Sequence, residues 1–91
     1  MEIHVLKDEG NELELEIYGD KTIPYLVKSY LVDDDRVDFV AIRTGHPLEG
    51  KVYLYLRAKE GSPRELLKSA VEKAKADLIL FRTAFDELQK Q

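Results

Sequence analysis

The chain has 91 residues, 44% hydrophobic and 35% charged, which predicts one globular domain over residues 1–91 with no room for a second. It contains no cysteine, which excludes disulfides, thiolate metal sites and cysteine nucleophiles. Fourteen Lys and Arg against 18 Asp and Glu give −4, and an acidic body is a poor electrostatic partner for nucleic acid.

The imbalance is uneven. Residues 1–61 hold 8 basic and 13 acidic groups, while residues 62–91 hold 6 and 5. No apolar run approaches the roughly 20 residues of a membrane span, and residues 1–10 lack the apolar core of a signal peptide. A soluble, cytoplasmic chain is expected, in contact with neither membrane nor nucleic acid directly. A domain of this size buries only about 60–65% of its extended surface. Apolar surface beyond that thin core points to a partner.

In chain order, Ile3 and Val5 alternate with Glu2 and His4, Asp8-Glu9-Gly10-Asn11 supplies turn residues, and Leu13, Leu15 and Ile17 alternate with Glu12, Glu14, Glu16 and Tyr18. This is a hairpin of half-buried strands. From Thr22 the spacing is helical, with Ile23, Leu26, Val27, Tyr30 and Leu31 on one side, Thr22 as N-cap and Pro24 in the first turn. Asp33-Asp34-Asp35 ends that helix and belongs in the loop, because carboxylates oppose the dipole at a helix C-terminus.

Val37, Phe39 and Ala41 alternate with Asp38, Val40 and Ile42, two apolar faces that suggest a strand covered on both sides or one face kept for a neighbour. Gly45 to Gly50 is a loop. Val52, Leu54, Leu56 and Ala58 alternate with Lys51, Tyr53, Tyr55 and Arg57 in a fourth strand, whose outer row can pair with Glu12, Glu14 and Glu16 if the two strands are neighbours. Ser62-Pro63-Arg64-Glu65 has the form of a capping box with proline at N1. No later glycine or proline stops a helix of about seven turns. Leu67, Val71, Ala74, Leu78, Phe81, Phe85 and Leu88 recur along it at steps of four and three, widened by Leu66, Ala70, Ile79, Leu80 and Ala84.

The order ββαββα predicts a two-layer α+β fold: a four-stranded antiparallel sheet with two helices on one face. Strands of six to eight residues span ~20–27 Å at ~3.3 Å each, whereas a helix from Pro63 to Leu88 is ~39 Å long at 1.5 Å per residue. It overhangs the sheet by about a dozen ångströms or more. Ile79, Leu80, Phe81, Phe85 and Leu88 fall on the overhang and are expected to be covered by another molecule.

Few residues suggest chemistry. His4 and His46 are the only histidines, too few for a metal site without carboxylates from scattered loops. No phosphate-cradling or nucleophile-elbow motif occurs, Ser29, Ser62 and Ser69 have no evident base, and Ser62 reads as a cap. The aspartate trio reads as a solvated turn, His46 as a loop residue bonding nearby backbone, and Tyr53 and Tyr55 as cross-strand packing against glutamate methylenes rather than base stacking. Catalytic residues, cofactor and metal are all expected to be absent.

The element order and two local motifs resemble the archaeal RNA polymerase subunit L family. Met1-Glu2-Ile3-His4-Val5-Leu6-Lys7 with Asn11 to Ile17 is similar to that family's first hairpin, His46-Pro47-Leu48 matches its loop between the third and fourth strands, and Ser62-Pro63-Arg64-Glu65-Leu66-Leu67 falls where its terminal helix starts. Asp20, Thr22 and Leu26 keep the family's pattern at the first helix, while Lys21 and Tyr25 replace its histidine and asparagine. The resemblance implies a non-catalytic polymerase component that heterodimerises with the D subunit. The pair is then the platform for the large catalytic subunits, which hold the magnesium sites, and for small subunits N and P. It further implies a D-facing surface of Ile23, Leu26, Val27 and Tyr30 with Leu78, Phe81, Phe85 and Leu88. Two alternatives stay open. One is a homodimeric interaction module outside transcription, using the same helix as a two-fold seam. The other is a pterin carbinolamine dehydratase, which shares the element order but needs a histidine cluster where this chain has one histidine.

Overall fold

The computed structural model describes residues 1–90. Strands β1 (Glu2–Glu9) and β2 (Glu12–Tyr18) are followed by helix α1 (Thr22–Val32), strands β3 (Val37–Thr44) and β4 (Lys51–Ala58), and helix α2 (Pro63–Gln89). The strands form one antiparallel sheet in the order β1-β2-β4-β3, so this is the α+β architecture that the element order predicts. The backbone measures 51 × 36 × 16 Å. Its least dimension is that of one helix layer on one sheet layer, and its greatest runs well past the ~26 Å of an eight-residue strand.

The central pair explains the sheet. In the β2–β4 register Leu13, Leu15 and Ile17 stand opposite Leu56, Leu54 and Val52, and all six are buried. The other row sets Glu12, Glu14, Glu16 and Tyr18 opposite Arg57, Tyr55, Tyr53 and Lys51. A one-residue slip would exchange these rows, so burial of one face fixes the register. Gly10, at φ +57°, makes the tight β1–β2 turn in the left-handed region open to glycine. Asn11 closes it by donating from Nδ2 to the Ala58 carbonyl at 3.0 Å.

The core on the inner face has two parts. Val27 and Leu31 of α1 meet Leu56, Ala58, Leu66 and Ala70. Leu13, Leu15, Ile17, Val52 and Leu54 form a second cluster beneath Leu67. The stripe of α2 that packs inward is Leu66, Ala70 and Ala74, one step of i+4 after another. Two alanines let the helix sit close to the sheet.

Three local expectations are corrected. Edge strand β3 is bulged between Val37 and Phe39, which puts Val37, Val40 and Ile42 against the core and leaves Phe39 outside beside Tyr55, ring centroids 6.0 Å apart. The extra residue lets both apolar sets find a surface without a second covering layer. Lys21, not Thr22, is the N-cap of α1. Asp20 Oδ1 accepts the Thr22 N–H at 2.7 Å, so the capping carboxylate stands one residue earlier. Ser62 is the N-cap of α2 by position and backbone angles but makes no side-chain capping bond. Pro63 has no N–H to satisfy, and Glu65 places its charge near the positive end of the helix. As expected, Tyr53 and Tyr55 stand opposite Glu16 and Glu14 across β2–β4; Tyr53 also packs under the Arg43 guanidinium at 4.1 Å and Tyr55 beside Phe39.

Candidate functional site: an apolar groove along the terminal helix

Helix α2 leaves the sheet after Ala74, the last buried residue on it. Beyond that point Leu78, Ile79, Leu80, Phe81, Phe85 and Leu88 are all exposed, Phe81 at 72%. The two phenylalanine rings stack at a tilt, centroids 6.5 Å apart. At 1.5 Å per residue the 27-residue helix is ~40 Å long, and this free segment is its distal half.

Where α2 passes α1, a cleft of about 500 Å³ opens between them, lined by Ile23, Leu26 and Val27 of α1 and by Val71, Leu78, Ile79 and their neighbours on α2. It brings together four of the eight residues assigned to the partner surface from sequence: Ile23, Leu26, Val27 and Leu78. Val27 is 8% exposed and belongs to the core, so it forms the floor of the cleft. Tyr30 packs on the same core, and its hydroxyl donates to Asp77 Oδ2 at 2.6 Å. The carboxylate beside it raises the Tyr30 pKa. Phe81, Phe85 and Leu88 extend the apolar surface along α2 beyond the cleft.

Sequence reading missed a second stretch of open apolar surface. Ile3 and Val5, opposite Ile17 and Leu15 in the sheet, are about half exposed. Both line a cleft of about 340 Å³ with Leu15, Leu67 and Val71, and Ile3 also lines one of about 250 Å³ with the same three residues. The period-two pattern of β1 marks these residues as inward-facing but carries no sign of whether a helix reaches them. Val71, on the rim of all three clefts, was legible in the α2 stripe.

The outer face of the sheet is self-satisfied. Lys51 Nζ lies 3.2 Å from both Glu16 and Glu49 and donates to the Tyr18 hydroxyl at 3.4 Å. These partners raise the lysine pKa, with Tyr53 and Glu49 the leading contributors. Tyr55 donates to Glu12, which also pairs with Lys7 at 3.0 Å. Both partners lower the Glu12 pKa.

In the β3–β4 loop, His46 Nδ1 accepts the Leu48 N–H at 3.2 Å, and Leu48 is 89% exposed. His46, Pro47 and Leu48 do not line the α1–α2 cleft. Among the described residues no group of three His, Cys, Asp or Glu side chains is placed to hold a metal, and no helix is long and apolar enough to cross a membrane. Asp34 of the aspartate trio is engaged instead by Arg36. The carboxylate accepts from Arg36 Nη2 at 2.8 Å, Nε at 3.0 Å and the backbone N–H at 2.9 Å, which holds its pKa at about 2.

Fold and site define a class: a two-layer α+β chain whose terminal helix outruns its own sheet and exposes its apolar side. A family model described as the RNA polymerase Rpb3/Rpb11 dimerisation domain matches residues 12–84, and the chain belongs to this family. It is 33% identical to the DNA-directed RNA polymerase subunit Rpo11 of Methanothermobacter thermautotrophicus over 87 residues, 94% of this chain and 100% of that one. It is 38% identical to the Rpo11 of Sulfolobus acidocaldarius over 92 residues, 99% of each chain. A solved structure of DNA-directed RNA polymerase subunit L from Thermoplasma acidophilum superposes with a TM-score of 0.85 at 27% identity, covering 98% of this chain and 89% of that one.

Proposed function

We propose that this chain is the smaller, non-catalytic member of the assembly pair in an archaeal DNA-directed RNA polymerase and that it acts by heterodimerising with the larger, Rpb3-type D subunit. The supporting observation is the distal half of α2. A chain of 91 residues leaves Leu78, Phe81, Phe85 and Leu88 in water, in line with an open cleft to α1. Exposed apolar surface of this extent on so small a body calls for a partner, and the name of the matching family supports a protein one.

In this reading the partner covers Ile23, Leu26, Leu78, Phe81, Phe85 and Leu88, resting on Val27 and Tyr30. The heterodimer then serves as the cytoplasmic assembly platform for the large catalytic subunits, joined by small subunits N and P. Catalysis belongs to those large subunits. This chain supplies shape and apolar area, with no cofactor, no metal and no contact of its own with nucleic acid.

The test is a double Phe81→Ala, Phe85→Ala variant co-expressed with the tagged D subunit. Both rings are exposed in the free chain, so the variant folds as the parent does. Truncating two anchors at a filled interface costs ~2–4 kcal/mol each, and co-purification with the D subunit is expected to be lost. A variant that still co-purifies at the parent's yield would defeat the proposal.

A further inference from the structure

Asp77 is the last residue of α2 that bonds to another element, through the Tyr30 hydroxyl at 2.6 Å. From Lys75 to Lys90 every residue is exposed. Among the described residues, the side-chain bonds and ion pairs made beyond Asp77 stay within the helix: Thr83 to the Ile79 carbonyl, Arg82 to Asp86 and Lys90 to Glu87. About a dozen residues of helix therefore stand on local terms alone, a length at which an isolated helix is marginal in water.

Those local terms are close to balanced. Leu80, Arg82 and Ala84 favour helix, whereas Ile79, Phe81, Thr83, Phe85 and Asp86 belong to the weaker half of the propensity scale. The Thr83 hydroxyl donates back to the Ile79 carbonyl at 3.1 Å, a bond that slightly loosens a helix. The last turn holds Asp86 and Glu87 and no basic residue, which sets two carboxylates against the negative end of the dipole. Arg82 and Asp86 are 4.0 Å apart and exposed, so their pair adds little. The proximal half differs. Leu66, Ala70 and Ala74 are buried there, and opening it would break core contacts, whereas a segment without such contacts opens at little cost.

We infer that α2 is two units: a proximal half fixed on the sheet, and a distal half from Leu78 onward that opens and closes in the free chain and becomes fully helical only when a partner chain covers it. The inference rests on the docking reading above and adds a conformational gate to it. Phe81 and Phe85 share one face only while the segment is helical, so the encounter itself completes the face. Ordering the segment lowers the net affinity, which then depends on helix propensity at positions away from the docking face. Thr83 is such a position. It lies two residues from Phe81 and two from Phe85, which at 3.6 residues per turn puts it on the opposite side of the helix from both.

The test uses Thr83→Ala and Thr83→Gly variants of the full chain, titrated with the full-length D subunit beside the parent. Amide hydrogen exchange is followed in the free chain and in the complex. The distal amides are expected to exchange in the free chain at least about tenfold faster than those of the buried proximal half, and to become protected in the complex. Affinity for the D subunit should be about two- to fivefold higher for the alanine than for the glycine variant, the range set by how much of the segment is helical beforehand. The thermal midpoint of the free chain should be nearly the same in all three proteins. Equal affinities, with distal amides already protected in the free chain and a midpoint that follows propensity, would overturn the gate and leave the docking reading standing. Distal amides that stay unprotected in the complex would overturn it as well. A chain with no affinity for the D subunit in any of the three forms would remove the docking reading, and the gate with it.

Discussion

The Tyr30 hydroxyl donates to Asp77 Oδ2 across 2.6 Å, joining the last turns of α1 to α2 three residues beyond Ala74, where α2 stops being buried by its own sheet. The bond ties the two walls of the cleft together. Tyr30→Phe removes the donor but keeps the ring on the core. Because the pair is exposed, a small loss of stability is expected, read as a lowered thermal midpoint. Binding of the D subunit should weaken too, since the cleft walls are no longer held. A midpoint unchanged within error would show that packing alone holds the walls.

Leu56 is fully buried where both helices and the central strands meet. Leu56→Ala removes three carbons and leaves a cavity that a 16 Å thick body has little means to close. The expected cost is ~2–5 kcal/mol, a large part of the total for so small a domain. Urea denaturation should show the midpoint falling with little change in slope.

Ser62→Ala offers the opposite case. Helix N-caps normally contribute about 1 kcal/mol through the side-chain acceptor, but Ser62 makes no such bond. The substitution is expected to shift stability by less than about 0.3 kcal/mol, whereas Asp20→Ala, which removes the acceptor for the Thr22 N–H, should cost about 0.5–1 kcal/mol. Paired urea curves measure both. A Ser62 loss equal to that of Asp20 would contradict the assignment.

Asp34 links stability to acid. Its folded pKa is about 2, below the usual value of 3.8, chiefly because the Arg36 side chain bonds the carboxylate. A depressed pKa means the unfolded chain binds the proton more readily. The stabilisation is therefore complete above roughly pH 5 and is lost as pH falls from about 4 towards 2. Glu12, lowered by Tyr55 and Lys7, acts in the same direction. Asp34→Asn should flatten the acid limb of a thermal-midpoint profile and leave its neutral-pH shape unchanged. An identical acid limb in the variant would remove Asp34 from the account.

Much of this molecule was legible in its sequence because burial on one face leaves a periodic trace. The alternation of Leu13, Leu15 and Ile17 with three glutamates defines both faces of β2, and the facing alternation in β4 carries the register. The overhang followed from two lengths, that of the strands and that of a helix with nothing to stop it. What escaped was the set of features with no period. The β3 bulge depends on one unpaired residue, and it decides that Val40 rather than Phe39 enters the core. The side-chain acceptor of α1 sits at Asp20 instead of Thr22 because backbone angles, not residue preference alone, select it. The open flank at Ile3 and Val5 depends on where α2 lies across the sheet. For the candidate site, the α2 residues were readable from their spacing, but the division of α1 into floor (Val27), wall (Ile23, Leu26) and latch (Tyr30) needed the third dimension.

The central claim is that the exposed half of α2 is one side of a heterodimer. Size-exclusion chromatography with light scattering on the chain alone, on the D subunit alone and on their mixture tests it most directly. The account predicts a 1:1 complex in the mixture and a monomer for this chain alone. A mixture that elutes as its two separate components would contradict it.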